Sequence, residues 1–307
     1  MVQALVLERP WNKYTSGSLA NLKPRVSFVF HTEAANVQLT VGADAALKLL
    51  LTDIPRQTIV HPRYGYPGYG KWSRNADRVL IYDHKATAGE LLSSVEGIQG
   101  RPLLIICWPG NPVENENLMT SESLTALSVR FDVVIDATYL SIYTETFVDL
   151  CRQAQHHGLL VVFSLSKAVG IPAARLGGIV GDPNKLKSQK EVEKFRWDLF
   201  QSAVAECAFS EAGIQILSAH AGRLGELASK IRIALHNAGM QTYAGSGNNF
   251  VSVPLHGKNV AHFPSSHFQG KLYPDLNLMR LDCNNHNLEL IRAMPQASPP
   301  GADMVLS

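Results

Sequence analysis

"GLLVVFSLSKAVGIPAARLGG" (residues 158–178) opens as an apolar, β-branched run and closes in glycines, with Ser164, Ser166, Lys167 and Arg175 between. A continuous apolar run such as "LLVVF" reads as a strand buried on both faces, the pattern of a parallel sheet. Burying an unpaired ammonium is costly. A lysine directly after such a strand is therefore either solvated at the strand's end or held in a cleft for chemistry. The two serines and Arg175 add hydroxyl and guanidinium donors to the same loop, which suits an anion.

The pattern continues outward in both directions. "QTIVH" (57–61), "RVLIYD" (78–83), "PLLIICW" (102–108), "DVVIDATY" (132–139) and "LGGIVGD" (176–182) are further short apolar runs that close in turn signals and predict strands. "GADAALKLLLT" (42–52), "ESLTALSVR" (122–130) and "TETFVDLCRQAQHH" (144–157) carry apolar residues at helical spacing. Strands interleaved with helices predict a three-layer α/β/α domain around a mostly parallel sheet. Residues 185–237 are helical in pattern, "NNFVSVPL" (248–255) and "LMRLDC" (278–283) read as strands, and "NLELIRAM" (287–294) as a helix. The expected layout is an N-terminal arm (1–30), a large α/β domain (31–215), a small α+β C-terminal domain (216–294) and a tail (295–307).

Composition restricts the function classes. Of the 307 residues 46% are hydrophobic and 18% charged, an ordinary globular balance, and a net charge of +2 offers no field for nucleic acid or an anionic membrane. The four cysteines, Cys107, Cys151, Cys207 and Cys283, form no CxxC pair, which argues against a zinc site or a disulfide framework. The histidines show no metal-ligand spacing. The opening "MVQALVLERPWNKY" lacks the features of a signal peptide, and no apolar run reaches membrane-spanning length. The expectation is a cytoplasmic protein with neither nucleic-acid nor membrane partners.

Ligands of open α/β sheets sit at the carboxyl ends of the strands. Those ends carry Asn111 in "WPGNP", Asp136 with Tyr139 three residues later, and Ser164, Ser166, Lys167 and Arg175. Upstream, "VGADAALKLLL" puts a small-residue turn at a helix start, where free N–H groups attract anions, and "YGYPGY" adds an aromatic cluster after a strand. One ligand would engage all of them. An aspartate can hold a protonated pyridine nitrogen, and an asparagine and a tyrosine a phenolate oxygen. A ring can stack on the pyridine face, a helix start with hydroxyls and arginine can hold a phosphate, and a lysine forms a Schiff base with an aldehyde. That ligand is pyridoxal 5′-phosphate. Asp136 also fits a plain helix N-cap, and Tyr64, Tyr66 and Tyr69 are each open as the stacking ring.

These motifs resemble the class I/II aminotransferases, fold type I of the pyridoxal-phosphate enzymes, and within them the histidinol-phosphate aminotransferase-like branch. "SLSKAVGIPAARLGG" is similar to the family's Schiff-base segment, "WPGNP" to its asparagine–proline box and "DVVIDATY" to its aspartate-to-tyrosine strand end. "FPSSHF" with "LMRLDC" resembles its C-terminal carboxylate-binding region. The resemblance implies Lys167 as Schiff-base lysine and catalytic base, Asp136 on the pyridine nitrogen, and Asn111 and Tyr139 on the ring hydroxyl. Tyr64 would stack on the ring, and Ser164, Ser166, Arg175 and the backbone at Ala43 and Asp44 would hold the phosphate. It further implies Arg280, assisted by Asn249, on the substrate α-carboxylate, and Tyr14 reaching the phosphate of a neighbouring subunit in a homodimer. The implied reaction is ping-pong transfer of an amino group between an α-amino acid and a 2-oxo acid. Other pyridoxal-phosphate reactions (decarboxylation, elimination, cyclisation) and a non-catalytic cofactor-binding module are the alternatives.

Against the family pattern the N-terminal arm and the stretch between "VPLHGKN" and "FPSSHF" are short, and "WPGNPVEN" lacks the usual threonine–glycine. Nothing matches the second arginine that would bind a phosphorylated substrate, and His267 lies near its place. The pattern therefore argues against histidinol phosphate as substrate.

Overall fold

The computed structural model describes residues 16–53, 58–187, 198–243, 249–255 and 267–294. The chain divides into two compact units at Ala221/Gly222, a little beyond the 215/216 boundary read from the sequence.

The first unit is built on a seven-stranded sheet: β1 (Val37–Thr40), β2 (Thr58–Pro62), β3 (Arg78–Tyr82), β4 (Leu103–Cys107), β5 (Asp132–Asp136), β6 (Leu160–Ser164) and β7 (Gly177–Gly181). Their order is β1-β7-β6-β5-β4-β2-β3. The five strands from β6 to β3 are mutually parallel, whereas β7 runs antiparallel to both β6 and β1. The interspersed helices are α1 (Ser16–Val29), α2 (Gly42–Lys48), α3 (Gly68–Trp72), α4 (Ala88–Ser94), α5 (Ser121–Arg130), α6 (Glu145–His157), α7 (Pro183–Lys187) and α8 (Leu199–Ala208), and α9 (Glu211–Asn237) runs through the Ala221/Gly222 division.

Successive side chains of a strand point to opposite faces, and the core divides accordingly. Val60, Leu104, Ile106, Val133, Ile135, Val161 and Phe163 face one cluster with apolar residues of α1, α4, α5, α6 and α8. Ile59, Leu103, Ile105, Val134, Leu160 and Val162 face the other with residues of α2, α3 and α7. Both faces are thus covered, the three-layer architecture expected from the apolar strands. α6 shows how the local signals work. The Thr144 side chain caps its start by accepting from Phe147 N, Phe147, Leu150, Cys151 and Ala154 form its buried stripe, and Gly158 ends it at φ 65°.

Two features differ from the sequence reading. Residues expected to lie in an arm form α1, whose Leu22 and Val26, with Phe30 just beyond, are buried. The Phe30 ring meets Phe147, Phe163 and Phe209 edge-on. β1 went unread because "VQLT" alternates with polar residues, yet Gln38 and Thr40 are buried because β1 is a sheet strand packed beside β7.

The second unit contains a three-stranded antiparallel sheet, β8 (Phe250–Pro254), β10 (Leu278–Asp282) and β9 (Gly270–Tyr273) in the order β8-β10-β9, and the helix α10 (Asn285–Arg292). One face of that sheet, with Val251, Val253, Met279 and Leu281, packs with Ile231 and Leu235 of α9 and Leu288 and Ile291 of α10.

Candidate active site

Strand register brings the expected site residues of the first unit to one sheet edge. Cys107, the last residue of β4, pairs with Asp136, the last of β5, which pairs with Val162 of β6. Ser164, ending β6, pairs with Gly177, which pairs with Thr40, ending β1. The segments after β1, β2, β4, β5 and β6 therefore all leave the sheet at the same edge. Asn111, Asp136, Lys167 and Gly42 are neighbours because of this topology, although 125 residues separate the last two in sequence.

At the centre stands Asp136, only 3% exposed. Its Oδ1 accepts from the Thr138 backbone N–H at 3.1 Å and the Thr138 hydroxyl at 2.5 Å. Its Oδ2 accepts from the hydroxyl of Tyr69. Burial pushes its carboxyl above the ordinary 3.8, against the Thr138 and Tyr69 hydrogen bonds, which pull it down. Among the described residues no cation lies within ion-pair distance of it. Nor is Asp136 a helix cap: Thr144 caps the next helix, α6. Beside it, Asn111 is buried and its Nδ2 donates to Tyr139 Oη at 2.9 Å. The peptide bonds Trp108–Pro109 and Asn111–Pro112 are both cis.

The loop after β6 is built differently. Leu165, Ala168, Val169 and Leu176 are buried anchors, Leu165 and Leu176 are joined by a backbone hydrogen bond of 3.0 Å, and Lys167 between them is exposed. Ser164 is buried and its Oγ accepts from the Ser166 N–H at 3.0 Å, so it shapes the turn that presents the lysine. Arg175 adopts left-handed backbone, φ 50°, a conformation that costs a non-glycine residue energy and recurs at ligand sites.

Arg175 reaches the start of α2. Its Nη2 pairs with Asp44 Oδ2 at 2.8 Å, and its guanidinium lies 3.6 Å from where a Cβ on Gly42 would stand. A Cβ on Gly177 would come within 2.8 Å of Ala43 N, so only glycine there lets β7 approach this helix start so closely. The Tyr66 hydroxyl sits beside Asp44, and burial together with that carboxylate raises it to about 12. Of the three aromatic candidates, Tyr66 borders Asp44 and Tyr69 binds Asp136, while Tyr64 is half-buried. Thr138 and Cys107 are members of this site that sequence reasoning did not select, and Tyr66 and Tyr69 it left open only as stacking rings. Their signal was the "YGYPGY" cluster and the D-x-T at the end of β5.

In the second unit, Arg280 on β10 lies opposite Ser252 and Lys271. It faces away from that unit's apolar core, with its guanidinium 5.1 Å from the Phe250 ring centroid and Nη2 3.5 Å from Asp282 Oδ1. Asn249 accepts from Cys283 N through its backbone carbonyl at 2.8 Å. Tyr14 and most of "FPSSHF" lie outside the described residues. Among the described residues no cluster of side chains could hold a metal ion, and no helix is long and apolar enough to cross a membrane.

The family model for aminotransferase class I and II matches residues 3–282. The chain belongs to that family. It is 24% identical over 195 residues to a histidinol-phosphate aminotransferase of Thermoanaerobacter pseudethanolicus, covering 61% of this chain and 54% of the relative. The matched stretch thus spans little more than half of that relative's length. Among solved structures, the histidinol-phosphate aminotransferase of Sinorhizobium meliloti in complex with pyridoxal-5′-phosphate superposes with TM-score 0.76 at 18% identity, over 95% of this chain and 84% of that one. The L-threonine-O-3-phosphate decarboxylase of Porphyromonas gingivalis superposes with TM-score 0.69 at 16% identity, over 95% and 96%. At these identities the likeness shows the fold, fold type I.

Proposed function

We propose that this chain binds pyridoxal 5′-phosphate and transfers an amino group between an α-amino acid and a 2-oxo acid. The observation that carries the reading is the buried Asp136 carboxylate. It has three donors, lacks a cationic partner among the described residues, and shares its sheet edge with Lys167, Arg175 and the Asn111–Tyr139 pair. The donor set fits the cofactor group by group. A protonated ring nitrogen supplies the cation a buried carboxylate needs. Asn111 and Tyr139 suit the phenolic oxygen, and Arg175, Ser166 and the α2 start with Ala43 and Asp44 suit the phosphate. The aromatic segment Tyr64–Tyr69 suits the ring face.

Bound there, the cofactor supplies an electron sink for the pair left at the substrate Cα. Lys167 would hold the cofactor and would serve as general base and then acid for the proton at the substrate Cα. Asp136 keeps the proton on the ring nitrogen. Arg280, assisted by Asn249, orients the substrate through its α-carboxylate. The homodimer, the Tyr14 contact to a neighbouring subunit and a cytoplasmic location complete the proposal, supported by the family resemblance.

A spectrophotometric screen of the cofactor-loaded protein against amino acids tests it. α-Amino acids should convert the cofactor to its amine form, a 2-oxo acid should reverse the change, and simple amines lacking a carboxylate should react far more slowly. Release of carbon dioxide without formation of the amine form would establish a decarboxylase instead. No spectral response to any donor would leave a binding module.

A further inference from the structure

Tyr69, so far only one donor to Asp136 among three, is deeply buried at the site. It is 2% exposed, lies on the short α3, and packs in the cluster that contains Ile59, Ile105 and Cys107. Its ring has a reserved slot. A Cβ on Gly65 would stand 2.8 Å from Tyr69 Cε2, and Gly65 has φ 148°, which side-chain-bearing residues avoid. The glycine in "YGYPGY" therefore has a reason: it lets this ring reach the end of β5, 67 residues along the chain.

The valences around Asp136 say what the hydroxyl does there. A carboxylate offers about four lone-pair sites on two oxygens. Thr138 takes both sites on Oδ1, and Tyr69 takes one on Oδ2. Among the described residues nothing takes the remaining site, on Oδ2. We infer that Tyr69 is a positioning residue for Asp136: its hydroxyl fixes Oδ2 so that the last lone pair meets the ring nitrogen, and its donated bond favours the ionised carboxylate. The inference rests on the cofactor reading for the identity of that nitrogen, and on geometry alone for the effect upon Asp136.

The electrostatics agree. Burial drives Asp136 toward its neutral form and the Tyr69 bond opposes it, while burial and Asp136 push the Tyr69 hydroxyl well above its ordinary range, so it stays a donor. Among the described residues, the titratable groups coupled to Asp136 are Tyr69 and Tyr66, Cys107 and Asp44. None of them is cationic. Without the Tyr69 hydroxyl, Oδ2 would lose its protein donor, and the proton shared with the ring nitrogen would move toward the carboxylate.

The test is a titration of cofactor-free protein labelled with ¹³Cγ-aspartate, the Asp136 resonance being the one lost in Asp136→Asn. In Tyr69→Phe its midpoint should rise by about one to two pH units, the scale of one hydrogen bond to a charged group. Tyr82→Phe is the control, because that buried hydroxyl donates to Ile105 O at 2.8 Å, and it should leave the midpoint where it is. An unmoved midpoint in Tyr69→Phe, or an equal shift in both variants, overturns the inference. If Tyr69→Phe fails to fold, protein grown on 3-fluorotyrosine, a more acidic phenol and stronger donor, must show a lowered midpoint, and an unchanged one overturns it. With pyridoxal phosphate added, the ¹⁵N resonance of its ring nitrogen should report less protonation in Tyr69→Phe than in wild type. Failure of pyridoxal phosphate to bind would strike the cofactor reading and leave the titration result standing.

Discussion

The end of β5 and the loop after β6 lie side by side on one sheet edge and are built on opposite plans. Asp136 is buried and holds three protein donors. Lys167 is exposed between buried anchors, and the Arg175–Asp44 pair is close to half exposed on both sides. The difference fits the roles proposed for the two groups. A carboxylate that sets the charge of a ring acts most strongly where water is excluded, because low dielectric magnifies its field. A nucleophilic amine must instead be reached by its partner and released from it.

The largest effect should come from the open end. Lys167→Ala would remove the proposed general base and acid, a contribution of about 10² to 10⁴ in rate, and single-turnover measurements of Cα proton loss should show it. A variant with more than a tenth of wild-type turnover would mean that the loop presents no catalytic group. Next comes the closed end: Asp136→Asn should retain cofactor yet lose on the order of a hundredfold or more in kcat, the scale of deleting one preorganised electrostatic partner. If it instead released the cofactor with its kcat intact, the two ends would have exchanged their expected roles.

Arg175→Ala should weaken cofactor affinity by roughly three- to thirtyfold. That is less than for a buried pair, since the arginine is 45% exposed. Raised salt should narrow the difference from wild type, and equilibrium dialysis at two ionic strengths would reveal a salt-insensitive loss if the site were closed. The smallest effect is a pH signature of the closed end. Burial raises Asp136 above its ordinary 3.8, so its contribution to stability is present below that value and lost as pH rises through the higher folded-state value. Cofactor-free wild type should therefore lose stability over that window by urea titration, and Asp136→Asn should be flatter. Equal slopes would show the carboxylate to be solvated.

The same contrast governs how much could be read from sequence. Strands and their ends were legible because fully buried parallel strands are continuous apolar runs, and "LLVVF", "LLIIC" and "DVVID" carry that signal unmixed. Once the strands were placed, topology alone gathered Asn111, Asp136, Lys167 and Arg175 at one edge. β1 was not legible, since Gln38 and Thr40 break the apolar pattern and the burial that accepts them is tertiary. Tyr69 was visible only as one of three tyrosines, because its tie to Asp136 is a long-range contact that a glycine slot makes possible. Thr138 stood between two selected residues, and its local bonds to Asp136 leave no periodic trace. α1 escaped because Phe30, just beyond it, packs against aromatic partners as distant as Phe209.

The central claim, that this sheet edge carries pyridoxal phosphate on Lys167 opposite Asp136, is tested most directly by borohydride reduction of the loaded protein followed by peptide mapping. The account predicts a single pyridoxyl-modified peptide, with the label on Lys167. A label on any other lysine, or none under conditions where the cofactor is bound, would contradict it.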